Sequence, residues 1–226
     1  MSPTRTEFET VGAVHFSSIL RLDQVGRVAA LFGSEGLPGQ RLSQADLEPV
    51  ADLIGNESVI GRIAAELLGE GAKPVRALLL DKSERANWRL GWHQDRTIAV
   101  QERIEVPGFG PWSMKSGQLH VEPPFGITVR MVTLRVHVDG VDEDNAPLRV
   151  LPGSHALGLL KETELWQLAS EREPLTCLAE NGDVWAYSTP IVHASAEKVR
   201  RGRRRVLQLD YCAEELPGGL KWAELI

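Results

Sequence analysis

Residues 131–139, with the sequence MVTLRVHVD, alternate strictly between apolar and polar side chains. A period of two is typical of a β-strand. The apolar face carries Val132, Leu134, Val136 and Val138, and the polar face carries Thr133, Arg135, His137 and Asp139. The alternation therefore predicts an amphipathic strand, whose polar face either lines the interior of a barrel or faces solvent.

Further short β-rich segments lie on both sides of this strand, separated by Gly, Pro and Asn. The predicted strands are 75–80, 148–151, 184–187, 191–194 and 205–211. The first third of the chain differs, because apolar residues recur there at helical spacing in 23–32 and 57–68. Residues 157–170 fit either a helix or a long loop. The sequence predicts a mainly β fold with N-terminal helices, of the sandwich or barrel class.

The chain has 226 residues, a length at which β-barrels are commonly single domains. Hydrophobic residues make up 42% of it and charged residues 25%, as in an ordinary globular protein. No linker-like stretch divides it. We expect one domain over residues 1–226, with a helical layer over about 1–72 packed on a β-barrel core over about 74–212.

Composition limits the partners and the compartment. The net charge of −6 argues against broad phosphate recognition, and the arginine-rich run 200–205, which surrounds Gly202, is expected to be a solvated hairpin tip and not a nucleic-acid site. Two cysteines, Cys177 and Cys212, are too few for a disulfide framework or a thiolate zinc site, which favours a cytoplasmic location. No secretory signal and no long apolar run is present, so no membrane span is expected.

A candidate metal site begins with His93-Gln94-Asp95. Side chains at positions i and i+2 of a strand point the same way, so this imidazole and carboxylate can bind one metal ion. A second histidine would complete a two-histidine, one-carboxylate set, which suits iron(II) because it leaves coordination positions open. The chain has a second such pair, His137-Val138-Asp139, and the residues alone leave both pairs open.

A candidate hairpin follows in the C-terminal part of the chain. A Gly182-Asp183 turn precedes the strand that contains His193, and Arg204 lies eleven residues after His193 on the predicted return strand. Arginine binds carboxylates bidentately and stays charged. A metal beside this arginine predicts a site for a dicarboxylic 2-oxo acid, which binds the metal at one end and the arginine at the other.

Five pieces of the chain together resemble the phytanoyl-CoA dioxygenase family of iron(II)/2-oxoglutarate oxygenases. They are WHQD (92–95), NAPLRVLPGSH (145–155), GDVW (182–185), HAS (193–195) and Arg204. They keep the family's order and extend over about Val75 to Tyr211. Ala146 departs from the glycine that many members have there. The resemblance implies a double-stranded β-helix, that is, a jelly-roll or cupin-like barrel.

The resemblance also implies roles for individual residues. It makes His93, Asp95 and His193 the catalytic iron ligands and leaves the pair His137-Val138-Asp139 outside the ligand set. Cofactor contacts implied for 2-oxoglutarate are Arg204, Ser195, Thr133 and Lys82. The implied reaction hydroxylates or otherwise oxidises a small organic substrate with O2 and releases succinate and CO2. Because the carboxylate ligand is present, hydroxylation is favoured over halogenation.

The substrate residues are the least determined by the sequence. Arg135, His137, Asn87 and His120 are candidates, although a surface-loop position is favoured for His120. Residues 96–124 are rich in Gly and Pro and are expected to form a long lid loop. The alternative function is a cupin-like metal-binding protein, an isomerase or a sensor without 2-oxoglutarate oxygenase activity. We expect a monomer or homodimer that binds neither nucleic acid nor membranes.

Overall fold

The computed structural model describes residues 2–34, 38–223 and 225. The strands are β1 Ala13–Phe16, β2 Gln40–Arg41, β3 Lys73–Lys82, β4 Leu90–His93, β5 Ile98–Ala99, β6 Trp112–Lys115, β7 Gln118–Val121, β8 Met131–His137, β9 Leu148–Val150, β10 Leu175–Cys177, β11 Val184–Ser188, β12 His193–Ser195 and β13 Arg204–Cys212. The helices are α1 Pro3–Val11, α2 Leu22–Ala29, α3 Gln44–Leu47, α4 Ala51–Ile54, α5 Gly61–Leu68, α6 Phe125–Thr128 and α7 Glu162–Glu171. None of these described helices is long and apolar enough to cross a bilayer.

The larger sheet has six antiparallel strands in the order β1-β11-β8-β13-β3-β2. Its outer face packs against the N-terminal helices in one apolar cluster, which includes Ile60 and Leu67 from the helical layer and Leu134 and Leu209 from the sheet. The N-terminal layer also supplies β1 and β2, the two edge strands of this sheet. The sequence analysis did not predict them, because two to four residues are too few to show a period.

Helix α5 begins at Gly61, four residues later than the start expected from the apolar spacing. The Ser58 hydroxyl donates to the carbonyl of Leu53 at 2.6 Å and accepts from the Gly61 amide at 2.9 Å. Ser58 thus satisfies a free amide at the start of the helix, as N-terminal capping residues do. The residues before Gly61 form the turn that carries this serine.

Strand β8 is buried on both faces, since all seven of its residues are buried. The apolar face joins the cluster beneath the helices, and the polar face points into the space between the sheets. On the polar face, Thr133 lies opposite Asp210 of β13, and Arg135 lies opposite Gln208. The sequence allowed the polar face of this strand to line the interior or to face solvent, and in the structure it lines the interior.

The smaller sheet has four strands in the order β10-β9-β12-β4. His193 in β12 pairs directly with His93 in β4. Helix α7 covers the outer side of this sheet, where Leu165 packs against Leu151 and Val192. The segment that fitted either a helix or a loop thus contains a helix, with the apolar side that such a cover requires.

Residues 96–124 differ from the long lid loop that we expected. They contain strands β5, β6 and β7, which form a separate three-stranded sheet. Ile98, Phe109 and Val121 from this segment pack with Met131 and with Trp222 from the C-terminal segment. The segment is folded because residues 100 positions further along the chain cover its apolar face, a contact that local sequence does not reveal.

Candidate active site

The three predicted metal ligands come together at one end of the smaller sheet. His93 ends β4, Asp95 follows it by two residues, and His193 begins β12. One donor atom from each side chain lies within 4.8 Å of the other two. The two imidazole rings have centroids 4.2 Å apart, because their strands pair at these residues. Two imidazoles and one carboxylate form the donor set that suits iron(II) with open coordination positions.

Hydrogen bonds to the backbone fix the orientation of both histidines. The Nδ1 of His93 lies 2.7 Å from the carbonyl oxygen of Gly91, and the Nδ1 of His193 lies 2.8 Å from that of Ile191. A carbonyl only accepts, so each Nδ1 donates its hydrogen and each Nε2 is left with a free lone pair. This is the tautomer and the support that metal-binding histidines usually have.

The carboxylate ligand is held by a buried arginine. Arg76 of β3 donates to Asp95 at 3.2 Å and also pairs with Asp210 of β13. Asp210 accepts in turn from the Thr133 hydroxyl at 2.9 Å, and Thr133 lies 3.1 Å from the Thr189 hydroxyl. This chain of contacts connects the metal ligand to the centre of the larger sheet.

Charge in this network keeps the ligands in their metal-binding forms. Burial alone would raise the pKa of the Asp95 carboxyl, but the charges of Arg76 and of the two histidines outweigh it and hold the pKa at about 2. Burial, followed by the neighbouring His93, lowers the pKa of His193 to about 3. Asp95 is therefore ionised and His193 neutral at pH 7, as metal binding requires.

The middle residue of the first motif also has a structural role. The amide nitrogen of Gln94 donates to the carbonyls of Gly158 at 3.0 Å and Pro190 at 2.9 Å, and its oxygen accepts from the Leu160 amide at 2.9 Å. These bonds fix the backbone between the two ligands His93 and Asp95.

Arg204 is the arginine of the basic run that points inward. The residue is 2% exposed, and its guanidinium donates to the carbonyl of Ala146. Its neighbours Arg203 and Arg205 pair instead with Asp81 and Asp139 towards the surface. Among the described residues, no carboxylate pairs with Arg204, and its Nε has no hydrogen-bond partner. A buried cation without a counter-charge is costly, so the arrangement favours an anionic ligand.

Lys82 and Ser195 lie beside this arginine. Lys82 pairs with Arg204 across β3 and β13, and its ammonium donates to the Ser195 hydroxyl at 2.9 Å and to the carbonyl of Ala196. Burial, followed by the charge of Arg204, lowers the pKa of Lys82 to about 7. Burial, followed by the charge of Arg135, lowers the pKa of Arg204 to about 9. An anion bound here would relieve the repulsion among these cations.

A cavity of about 300 Å³ joins the metal ligands to the Arg204 end. Its volume lies at the small end of the range for ligand pockets. Its charged lining residues are Arg41, Arg76, Lys82, Asp95, Arg96, Lys115, Arg135 and Arg204. Arg135 donates to the Gln208 side-chain oxygen at 3.2 Å and lies 5.9 Å from the centre of the Tyr187 ring. The interior of this acidic chain is therefore strongly basic.

Four predicted contacts lie outside the cavity lining. Thr133 is occupied by Asp210 and Thr189, and the Asn87 side chain binds the backbone of Lys198 at 2.9 and 3.0 Å. His137 is fully enclosed, and neither ring nitrogen has a partner among the described residues. His120 is buried in β7, so the surface-loop position favoured for it is wrong: apolar residues of the C-terminal segment cover this sheet.

The second His-x-Asp pair does not form a metal site with any described residue. Asp139 accepts from the guanidinium and backbone amide of Arg205, and His137 faces the interior. The residue that the sequence analysis missed is Arg76. A single arginine in the apolar run 75–80 was its only signal, since a buried charge on a central strand needs a buried partner.

Comparison with known proteins gives a family and a fold. The sequence profile described as phytanoyl-CoA dioxygenase (PhyH) matches residues 8–206. No curated protein matches the chain in sequence. AviO1 from Streptomyces viridochromogenes Tue57 has a similar structure, with a TM-score of 0.66, 18% identity, and coverage of 95% of this chain and 94% of that chain. EctD from S. alaskensis with bound Fe has a TM-score of 0.68, 18% identity, and coverage of 94% and 77%.

A third similar structure is HygX from Streptomyces hygroscopicus with nickel and 2-oxoglutarate bound, with a TM-score of 0.65, 13% identity, and coverage of 94% of this chain and 87% of that chain. At such low identities the likeness establishes the fold, and the predicted jelly-roll class is confirmed. The profile match spans most of the chain and both halves of the metal site. The chain therefore belongs to the phytanoyl-CoA dioxygenase family.

Proposed function

We propose that this chain oxidises a small organic substrate at an iron(II) ion bound by His93, Asp95 and His193, with the far carboxylate of 2-oxoglutarate bound by Arg204. The chain is an iron(II)- and 2-oxoglutarate-dependent dioxygenase. The assignment of these residues is supported by two features that occur together in one cavity. A three-donor set lies within 4.8 Å, and a buried arginine without a carboxylate partner lies at the other end.

When bound, iron(II), 2-oxoglutarate and dioxygen supply the oxidising chemistry, with release of succinate and carbon dioxide. The protein supplies position and charge. The Nδ1 hydrogen bonds of His93 and His193 hold both rings, and Arg76 keeps the Asp95 carboxylate ionised and oriented. Because Asp95 keeps a carboxylate in the ligand set, hydroxylation is the proposed outcome, in preference to halogenation.

At the cosubstrate end, three side chains have complementary roles. Arg204 offers a guanidinium that can bind a carboxylate through two parallel bonds. Ser195 and Lys82 are already hydrogen-bonded to each other at 2.9 Å and add a hydroxyl and a second cation. HygX and EctD have the same fold with 2-oxoglutarate bound, which supports this use of the cavity.

The alternative of a cupin-like isomerase or sensor would share the metal ligands. That alternative does not explain why Arg204 and Lys82 are buried beside each other on adjacent strands, where their positive charges repel. The family membership of the chain also favours the oxygenase.

The test is an anaerobic titration of 2-oxoglutarate into the iron(II)-loaded protein, followed by the weak visible charge-transfer absorption of the chelate. We expect saturable absorption in the parent protein. Arg204→Gln should weaken 2-oxoglutarate binding by roughly 10–100-fold, because a charge-assisted bidentate pair contributes about 1.5–3 kcal/mol.

The matched control is Arg205→Gln, one residue away, whose side chain pairs with Asp139 near the surface. It should leave the titration unchanged. A parent protein that binds iron but develops no absorption with 2-oxoglutarate would overturn the proposal and favour the cupin-like alternative. Equal weakening by both variants would remove the specific role of Arg204.

A further inference from the structure

The cavity contains more positive charge than its own carboxylates and one cosubstrate can balance. Seven of its lining residues are cationic, and Asp95 is its single acidic lining residue. Asp95 is already paired with Arg76. Of the remaining six, none has an ion-pair partner among the described residues: Arg41, Lys82, Arg96, Lys115, Arg135 and Arg204. Bound 2-oxoglutarate brings two carboxylates, and one of these is taken by the metal.

These cations lie at two ends of the cavity. Lys82 and Arg204 lie together at the end of β3, beside Ser195. Arg76 lies six residues earlier on β3 and contacts the other side of the site, where it donates to Asp95. A 2-oxoglutarate molecule with one end on the metal and its far carboxylate on Arg204 has no further carboxylate for the cations on the Asp95 side. The cations beside Asp95 therefore need another partner.

Two cations at the Asp95 end come from outside the family's motif residues. Arg41 lies on edge strand β2, opposite Leu78 of β3, and Lys115 ends β6. Arg41 makes a long contact of 3.4 Å to the Ser116 hydroxyl, and its Nε is buried without a partner among the described residues. Lys115 donates to the Thr97 hydroxyl at 2.8 Å, two residues after the ligand Asp95. Both cations line the cavity.

The charge environment at this end also favours an anion. Burial, followed by the charge of Arg76, lowers the pKa of both Arg41 and Lys115. Each of the two is thus destabilised in its charged form by its surroundings. An anion between them would supply hydrogen-bond acceptors and cancel this repulsion.

We propose that Arg41 and Lys115 form a second anion subsite, which binds a carboxylate or phosphate group of the substrate on the Asp95 side of the metal. This inference rests on the proposed function, because it assigns the Arg204 end to 2-oxoglutarate. It makes the substrate a small organic acid or a small phosphate ester. The cavity of about 300 Å³ is consistent with a small molecule.

The test uses manganese(II)-loaded protein, which does not turn over, with saturating 2-oxoglutarate. Inorganic phosphate and acetate are titrated separately by calorimetry as probes of the subsite. We expect Arg41→Gln and Lys115→Gln each to weaken binding of the preferred probe by about tenfold. Arg41→Lys, which keeps the charge, should retain most of the affinity.

Two controls separate the subsite from its surroundings. Arg103→Gln removes an exposed arginine of the same segment, paired with Glu105 at 2.6 Å, and should leave both titrations unchanged. Arg204→Gln should weaken 2-oxoglutarate binding and leave the probe affinity in metal-loaded protein unchanged. Circular dichroism and thermal melting of each variant verify that it is folded.

The outcomes distinguish the two proposals. Tighter binding of phosphate than of acetate supports a phosphate ester as substrate, and the reverse supports a carboxylic acid. If neither probe binds, or if the Arg41 and Lys115 variants weaken 2-oxoglutarate binding instead, the subsite proposal is overturned while the oxygenase assignment stands. If the parent binds a probe through Arg41 and Lys115 but fails to bind 2-oxoglutarate, the subsite is supported and the proposed function is overturned.

Discussion

Arg76 has an unusual position for a charged residue, because it lies on β3, next to the edge of the larger sheet, with only 5% of its surface exposed. It bridges the ligand Asp95 and the buried Asp210, so two carboxylates share one guanidinium. Burial opposes its charge, but the two carboxylates outweigh burial and raise its pKa above the ordinary value. At the residue scale, the position of the Asp95 carboxylate, the proposed metal ligand, depends on an arginine outside the proposed ligand set.

We therefore expect Arg76→Lys to weaken metal binding by roughly 10–100-fold, as is usual when the partner of a metal ligand is lost. Lysine keeps the charge but cannot donate to Asp95 and Asp210 in the same fork geometry. Competition with a chelator for manganese(II) measures the effect. Arg76→Gln should in addition destabilise the fold by about 3–5 kcal/mol, because it leaves Asp210 buried without a counter-charge.

The matched control for this position is Arg130→Gln, which removes an exposed ion pair to Glu214 at 2.8 Å. An exposed pair contributes at most about 1 kcal/mol, so neither stability nor metal affinity should change much. Unaltered metal affinity in Arg76→Lys would show that Asp95 holds its position without the arginine.

At the scale of elements, strand parity explains which residues of the site were predictable. Arg204 was identified among five neighbouring arginines, and the alternation of β13 directs it towards the cavity while Arg203 and Arg205 pair with Asp81 and Asp139 on the other side of the sheet. The spacing of His93 and Asp95 indicated a possible ligand pair, but it equally allowed His137 and Asp139, and the resemblance to the family was needed to choose between the two pairs. The interior position of Arg135 was not predictable, because the alternation defines the two faces of strand β8 but does not show which face is directed towards the interior.

The rest of the site depends on long-range pairing. Arg41 reaches the cavity because β2 adds to the edge of β3, and Lys115 does so because β6 pairs with β7 in a separate sheet. Both strands are too short, or too rich in turn residues, to be recognised from a local pattern. The folded form of residues 96–124 was missed for the same reason, since Trp222 and Leu220 complete its apolar cluster from the C-terminal segment.

This C-terminal cover yields a prediction for the three-stranded sheet. Trp222 is 5% exposed, its ring packs with Val100 and Val121, and its Nε1 donates to the carbonyl of Glu214 at 2.8 Å. Trp222→Ala should destabilise the protein by about 3–5 kcal/mol, as for other large residues removed from a core. Urea unfolding measures the change.

Trp166→Ala is the control for this prediction, because that tryptophan lies on α7 and is 56% exposed. It should change the free energy of unfolding by less than about 1 kcal/mol. Equal effects of the two substitutions would mean that the C-terminal segment does not stabilise the sheet formed by β5, β6 and β7.

At the scale of the whole molecule, charge is separated between surface and interior. The chain has a net charge of −6, yet its cavity is lined by seven cations and one carboxylate. The surface arginines are neutralised locally, since Arg200, Arg203 and Arg205 each pair with an aspartate. The net charge of the chain therefore reflects its surface and does not indicate the charge of a ligand in the cavity. A basic interior in an acidic chain instead favours the proposed binding of small anions in the cavity.

The same interior makes stability depend on pH. Burial lowers the pKa of His137 well below its ordinary value, and burial followed by His93 lowers that of His193 to about 3. Below pH 6.5 the unfolded chain binds protons at these positions that the folded chain excludes. The free energy of unfolding of the metal-free protein should therefore fall as pH drops from 6.5 towards 5, by up to about 1.4 kcal/mol per pH unit for each histidine. The Asp95 carboxylate adds nothing in this window, because its lowered pKa affects stability only near and below pH 4.

Urea unfolding of the metal-free protein at pH 7.5, 6.5, 5.75 and 5.0 measures this dependence. His137→Gln removes one of the four histidines whose pKa is lowered, the others being His120, His155 and His193, at a position without hydrogen bonds to its ring among the described residues. In this variant the slope below pH 6.5 should decrease by the equivalent of one proton, whatever the variant's stability at pH 7.5. An unchanged slope would mean that His137 gains a proton as readily in the folded chain as in the unfolded one. Its enclosure behind Arg135 and Arg204, both cationic, argues against that result, because each charge adds to the cost of placing a proton there.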